Sequence, residues 1–277
     1  AEVLASVSFA DRARIREIVG REFAWAEHSA QSEGYSLPAT RVFAHLSTAG
    51  LYNEMVSGVT AYLALKDLAL NYEAKEEAFL ASLRQIAGLL FNRNNLILAT
   101  TADGRELAHL TQLGGCITDA LPATPQTRYT LPTLQLAAHE AFITSAEVVF
   151  AVQGGKLLKN AEGYNGHFEV LKTYLSRDYL WNTVRQMGGA YGCFIQFGQL
   201  TGNLAFVSYR DPQVKKTYDA YDGVPAVVAG LDLPDSVLEQ LIVGTYGNFD
   251  PLQSAAAKGA TARNDYLNGI DPEYKQQ

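Results

Sequence analysis

The sequence predicts an α+β fold: an antiparallel sheet with helices packed on one face, preceded by a helix-rich partial domain. Three observations predict it. Amphipathic helical patterns fill most of residues 9–113, and an apolar hairpin pattern occupies 190–209. After residue 139 the order is strand, helix, two strands, then helices, which segregates strands from helices instead of alternating them. The 277 residues suffice for two units, and 48% hydrophobic with 18% charged residues supply an ordinary globular core.

From Phe9 to Ser32, Ile15, Ile18, Val19 and Phe23 recur near helical spacing, with Arg12, Arg14, Arg16 and Arg21 interleaved. Gly34 breaks this helix, and Pro38 opens another that is expected to reach His45. Helices are expected over Leu51–Leu70 and Lys75–Phe91. Asn92-Arg-Asn-Asn95 marks a turn and Leu96–Thr101 a short strand. A helix then fits Gly104–Leu113, ending at Gly114-Gly115. A lone strand leaves its backbone groups unpaired, so the partners of Leu96–Thr101 are expected upstream of Ala1.

Pro122, Pro125 and Pro132 make Asp119–Leu136 an extended linker. The expected organisation is therefore a helix-rich part at 1–120, a linker at 121–138 and an α+β domain at 139–277. Ala146–Val152 reads as a strand closed by Gly154-Gly155, and Tyr164–Gln186 as a mostly buried helix. A hairpin follows, Ala190–Phe197 and Leu204–Tyr209. Asp211-Pro212 starts a helix with an Asp cap, and helices are expected over 212–229, 234–246 and 251–266. Ala1 is not an initiator methionine, and Asp271-Pro-Glu is a helix start with almost no chain after it. Both ends read as cut from something longer.

Composition excludes several classes. The net charge is −7 and no basic stripe exists, which argues against nucleic acid as a partner. No run of about 18 apolar residues exists to span a membrane, and no secretory leader is visible at Ala1. Cys116 and Cys193 are too few for a disulfide framework and read as buried thiols in a reducing compartment. Expected locations are a bacterial cytoplasm or, alternatively, a eukaryotic organelle lumen.

The five histidines, His28, His45, His109, His139 and His167, form neither His-Glu-x-x-His nor His-x-x-Glu-His, so no self-contained metal site is expected. Cys193 lies on an alternating strand with no glycine elbow or helix start to lower its pKa, which favours a core thiol over a nucleophile. Gly188-Gly-Ala-Tyr-Gly192 follows a helix and precedes a strand, the reverse of a phosphate-cradling loop. Arg185 and Tyr191 bracket that turn. A guanidinium fork and a phenol suit gripping a peptide carbonyl or carboxylate. Capping of the preceding helix by Arg185, and an ordinary strand aromatic at Tyr191, are the simpler readings from residue chemistry alone.

The segment Gly163–Asp222 closely resembles the last domain of insulinase-like (pitrilysin) zinc metallopeptidases of the presequence-protease and falcilysin branch. The resemblance rests on Gly163-Tyr164, Tyr179-Leu-Trp181, Arg185, Gly188-Gly-Ala-Tyr-Gly192, Ser208-Tyr-Arg-Asp-Pro212, Thr217 and Tyr221-Asp-Gly223. Gly244-Thr245 and Lys258-Gly259 continue it, and Arg12–Leu65, with Gly34, Glu54 and Gly58, resembles the helical part of the preceding domain.

The resemblance implies a clamshell of two halves, each with two α+β domains, that closes around unstructured peptides. It makes 1–120 part of the third domain and 139–277 the fourth. It places zinc and its ligands in an N-terminal half absent from this chain, so the peptide and that half are the expected partners. It assigns substrate binding to Arg185 and Tyr191, with Gly188 and Gly189 shaping the turn between them. No catalytic residue is expected in this chain, which alone should be inactive. A non-catalytic scaffold of the same fold is the alternative, and an unrelated Cys193-dependent enzyme a more distant one.

Overall fold

The structure is a computed structural model, and it describes residues 6–125, 128–145, 147–159, 163–249 and 251–270. The expected strand start at Ala146 and the Asp271-Pro-Glu helix start lie outside the described residues. The chain forms two compact units that interleave in sequence: 1–19, 70–130 and 251–277 make one, 20–69 and 131–250 the other.

The first unit is helical. It holds the opening residues of α1 (Arg12–Ser32), then α5 (Tyr72–Leu90), α6 (Gly104–Ala120) and α10 (Ala255–Asn268). The Asp11 carboxylate accepts from the Arg14 backbone N–H at 3.0 Å and fixes the start of α1. Arg12 pairs with Glu76 at 3.0 Å and also with Glu77, while Arg16 pairs with Glu73 and lies over the Tyr72 ring. The arginines expected on a solvated face thus tie α1 to α5.

Leu96–Thr101 is extended but belongs to no ladder among the described residues, a correction to the expected strand. Its side chains pack on helices instead. A Cβ at Gly114 would meet the Leu98 side chain at 3.1 Å, and Thr101 fills the space above Gly259 of α10. The helix expected to stop at Gly114-Gly115 runs on to Ala120. Asp103 caps its start, accepting from the N–H groups of Arg105 and Glu106, and the glycines serve close approach to Leu98, not termination.

In the second unit, α1 continues to Ser32 and α2 (Ser36–Ala44) follows. The single helix expected over Leu51–Leu70 is two, α3 (Thr48–Ser57) and α4 (Val59–Leu70), parted at Gly58. The cause is Glu54. Its carboxylate is fully buried and accepts from the Thr60 N–H and hydroxyl, each at 2.9 Å, so it caps α4 from inside α3. Arg41 completes the cluster, donating to Glu54 at 2.9 Å and to both oxygens of Glu140 at 2.6 and 2.8 Å. Any side chain at Gly58 would enter the space of the Glu54 carboxylate.

The sheet has three antiparallel strands in the order β1 (Val149–Lys156), β3 (Asn203–Asp211), β2 (Gly192–Phe197). β1 passes through Gly154-Gly155 instead of closing there, because α2 approaches the strand. A Cβ at Gly154 would lie 2.7 Å from Val42 Cγ1 and 2.5 Å from the Leu204 carbonyl. Phe206, Cys193 and Ile195 face α7 (His167–Tyr174), two π-helical turns (Leu175–Tyr179 and Trp181–Gln186) and α8 (Val214–Ala229). There Leu175, Leu180, Val184, Tyr221 and Val224 form the core, with Phe206 stacked on Tyr221 at 5.2 Å. Helices of 139–277 thus cover one face, as the α+β reading requires, and α9 (Asp235–Tyr246) packs outside α7. The opposite face is covered by α2.

Candidate functional site

The second π turn ends at Gln186, and Gly188 and Gly189 turn the chain into β2. Gly189 adopts φ +82°, open to glycine at little cost, and its N–H donates to the Arg185 carbonyl at 2.9 Å. Gly188 is buried against the Val184 carbonyl, where no side chain fits, and its own carbonyl accepts from Gln213 Nε2 at 3.0 Å. The two glycines thus shape the turn that separates Arg185 from Tyr191.

Arg185 lies with its guanidinium 3.8 Å from the Trp181 ring, one helical turn back. Among the described residues that guanidinium makes no hydrogen bond or ion pair, so it does not cap the preceding helix. Its fork of donors is pre-aimed by stacking and otherwise unspent. Tyr191 is 61% exposed, with its hydroxyl unbonded among the described residues.

Tyr191 belongs to a group of rings that residue-by-residue reading of the sequence does not find. Tyr209 crosses the bare Cα of Gly192 and lies 5.5 Å from Tyr191 and 6.2 Å from Phe194. Tyr35, from the start of α2, meets Phe194 edge-on at 5.5 Å and Tyr209 at 5.7 Å. Together with Ser32, Glu33 and Arg210 these rings line an open cavity of about 360 Å³. Arg185 does not line it. The only signal available in advance was Ser208-Tyr-Arg-Asp-Pro212, whose spelling gives no hint that its tyrosine would meet Tyr35.

That segment is locked from beneath. The Asp211 carboxylate is fully buried and accepts from Ser208 Oγ at 2.7 Å, Thr217 Oγ1 at 2.6 Å and the Gln213 N–H at 2.8 Å. It anchors the corner rather than capping α8, which starts only at Val214. Arg210 is thereby held at φ +50°, unusual for a side-chain-bearing residue, with its guanidinium 5.6 Å from the Tyr191 ring.

The cysteines differ. Cys193 is buried, and burial with the nearby Asp211 charge pushes its thiol up to about 11, partly countered by Arg185. That suits a core thiol, as expected. Cys116 is exposed on α6, a correction to its expected burial, because the helix continues past Gly115 and turns that position outward. Among the described residues no group of three or more His, Cys, Asp or Glu could hold a metal ion, and no helix is long and apolar enough to cross a membrane.

Residues 139–277 match the family model described as PreP C-terminal domain, and residues 1–68 match a companion model described as peptidase-associated. The chain is similar to presequence protease 1, chloroplastic/mitochondrial, of Arabidopsis thaliana, at 30% identity over 99% of this chain and 26% of that protein. It is 27% identical to Protein HypA of Clostridium perfringens over 100% of the chain and 28% of that protein. A mitochondrial presequence protease of Yarrowia lipolytica is 19% identical over the same shares. The chain spans about a quarter of the length of these relatives. With one family model covering its second half and a companion model covering its start, the chain belongs to the presequence-protease family of peptidases.

Proposed function

We propose that this chain is the C-terminal, metal-free portion of a zinc metalloendopeptidase that degrades unstructured peptides, with Arg185 and Tyr191 binding substrate. One observation supports this reading above others. Arg185 and Tyr191 stand at the two ends of a fixed glycine turn, and neither polar tip has a hydrogen-bond partner among the described residues. Structural arginines and tyrosines at such positions normally spend their donors on the fold. The Arg185 fork is suited to hold a substrate carbonyl or carboxylate, and the Tyr191 hydroxyl to donate to a carbonyl oxygen on which charge develops. Both contributions grow when water is excluded, as closure of a chamber around the peptide would do.

The family implies zinc, and the described residues do not fit it, so the ligands are assigned to the N-terminal half, this chain's partner. On this reading 1–120 is part of a third domain and 139–277 the fourth, and the chain alone is inert. A bacterial cytoplasm is the proposed location, with an organelle lumen as the alternative. The Arabidopsis relative is named for chloroplast and mitochondrion, and Clostridium holds another.

The test is recombination. This chain is mixed with a family N-terminal half that carries His-x-x-Glu-His, and cleavage of an unstructured peptide is followed. Hydrolysis that appears only in the mixture, and falls at least about a hundredfold with Arg185→Ala, supports the proposal. Stable association of the halves with no hydrolysis supports a scaffold instead.

A further inference from the structure

We infer that the cavity bounded by Tyr35, Tyr191, Phe194 and Tyr209 is a recognition subsite for an aromatic side chain of the bound peptide, with Arg210 holding the neighbouring main-chain carbonyl. The inference rests on the proposed peptide-binding role of Tyr191 and adds to it the kind of residue selected.

Four features carry it. The rings are already arranged. Tyr35, Phe194 and Tyr209 are half-buried and meet one another edge-on or tilted at 5.5–6.2 Å, so they need no rearrangement to receive a fifth ring. Their arrangement is enforced by the bare Cα of Gly192 beneath Tyr209 and by the Asp211 anchor one residue beyond Arg210. The cavity of about 360 Å³ falls at the small end of ligand sites, which run from about 300 Å³ upward, and suits one large side chain with a short stretch of backbone. Finally, the hydroxyls of Tyr35, Tyr191 and Tyr209 and the guanidinium of Arg210 have no hydrogen-bond partner among the described residues.

The same geometry selects against a cationic side chain. The Arg210 guanidinium already occupies the cation position 5.6 Å from the Tyr191 ring, and a second cation would meet it there. Glu33 at the rim is a single carboxylate against that charge, so a neutral ring is the better occupant. Arg210 remains available as a donor to a carbonyl oxygen.

Four end-blocked pentapeptides that differ only in a central Phe, Leu, Lys or Ala test this, titrated calorimetrically into the full chain. The Phe peptide should bind about tenfold more tightly than the Ala peptide, with Lys the weakest. Tyr35→Leu should reduce the Phe preference to less than about threefold while leaving the Ala peptide unchanged. Because Tyr35 also contributes to packing, transferred NOEs in the unaltered chain provide a second reading: the peptide ring should show them to Tyr35 and Tyr209 protons. Equal affinities, a preference for Lys, absence of those NOEs or no saturable binding at millimolar peptide would each overturn the subsite. Arg185→Ala separates the two claims. If it weakens all four peptides alike while no Phe preference exists, the function stands and the subsite falls. If the Phe preference persists and Arg185→Ala changes nothing, the subsite stands and the role of Arg185 falls.

Discussion

The Ser208 hydroxyl donates to the Asp211 carboxylate at 2.7 Å across a single tight corner, and both residues are completely buried. Between them lie Tyr209 and Arg210, the two residues that the corner presents to the cavity. A carboxylate buried with only neutral donors depends on all of them, since none brings an opposing charge.

Asp211→Ala should therefore cost at least about 3 kcal/mol, because it strands the Ser208 and Thr217 hydroxyls and the Gln213 N–H together. Urea unfolding followed by circular dichroism measures this. Asp211→Asn, which keeps an acceptor, should cost less. Equal losses would show that charge, and not the count of acceptors, matters at this corner.

Gly192→Ala places a methyl inside the space of the Tyr209 ring. The ring must move or the strand must bend, at about 1–3 kcal/mol. Near-ultraviolet circular dichroism should change shape while far-ultraviolet signal holds, since the ring cluster is disturbed before the sheet is. Gly155→Ala, with nothing close to its added methyl, is the control and should alter neither spectrum.

The Arg41 guanidinium holds the Glu140 carboxyl below its ordinary range, against the opposing effect of burial. A depressed folded pKa gives stability that is present above the unfolded value, about 4.3 for glutamate, and is lost as pH falls through the folded one. Unfolding free energy should thus drop on acidification from about pH 5 to about pH 3. Glu140→Gln should flatten part of that slope and lower neutral-pH stability by about 1–3 kcal/mol. An unchanged slope would exclude this pair as its source.

Thiol labelling separates the cysteines. At neutral pH the exposed Cys116 should react promptly with a disulfide reagent, while Cys193, buried and raised to about 11, should react only after unfolding. Two fast thiols in the native chain would reopen Cys193 as a reactive centre.

Much of the helical framework was legible because it is written in periodicity. Arg12–Ser32 and Val214–Ala229 carry apolar residues at helical spacing, and hydrophobic burial follows that spacing. The hairpin was legible from alternation, with Cys193 and Ile195 turning inward. Glycine was the misleading signal. Gly114-Gly115 and Gly154-Gly155 both spell a stop, yet Gly114 and Gly154 are present because Leu98 and Val42 come close. That reason resides in another segment, which local reading does not see. Leu96–Thr101 failed likewise: its composition is that of a strand, but a ladder needs neighbours and its neighbours are helices. Of the site, Arg185, Gly188, Gly189 and Tyr191 could be picked out along the chain, whereas the meeting of Tyr35 with Tyr209 is tertiary.

The run from Leu175 to Gln186 is wound almost throughout with five-residue hydrogen-bond spacing, wider than an ordinary helix. Winding sets angular phase. Removing a single residue there would let the run tighten and would swing everything beyond it by about 100°, the step per residue of an α-helix. Arg185 would then leave the Trp181 ring and point elsewhere, although no side chain at the site had been altered. Register along this helix is thus as much a determinant of where the guanidinium points as the identity of residue 185 itself.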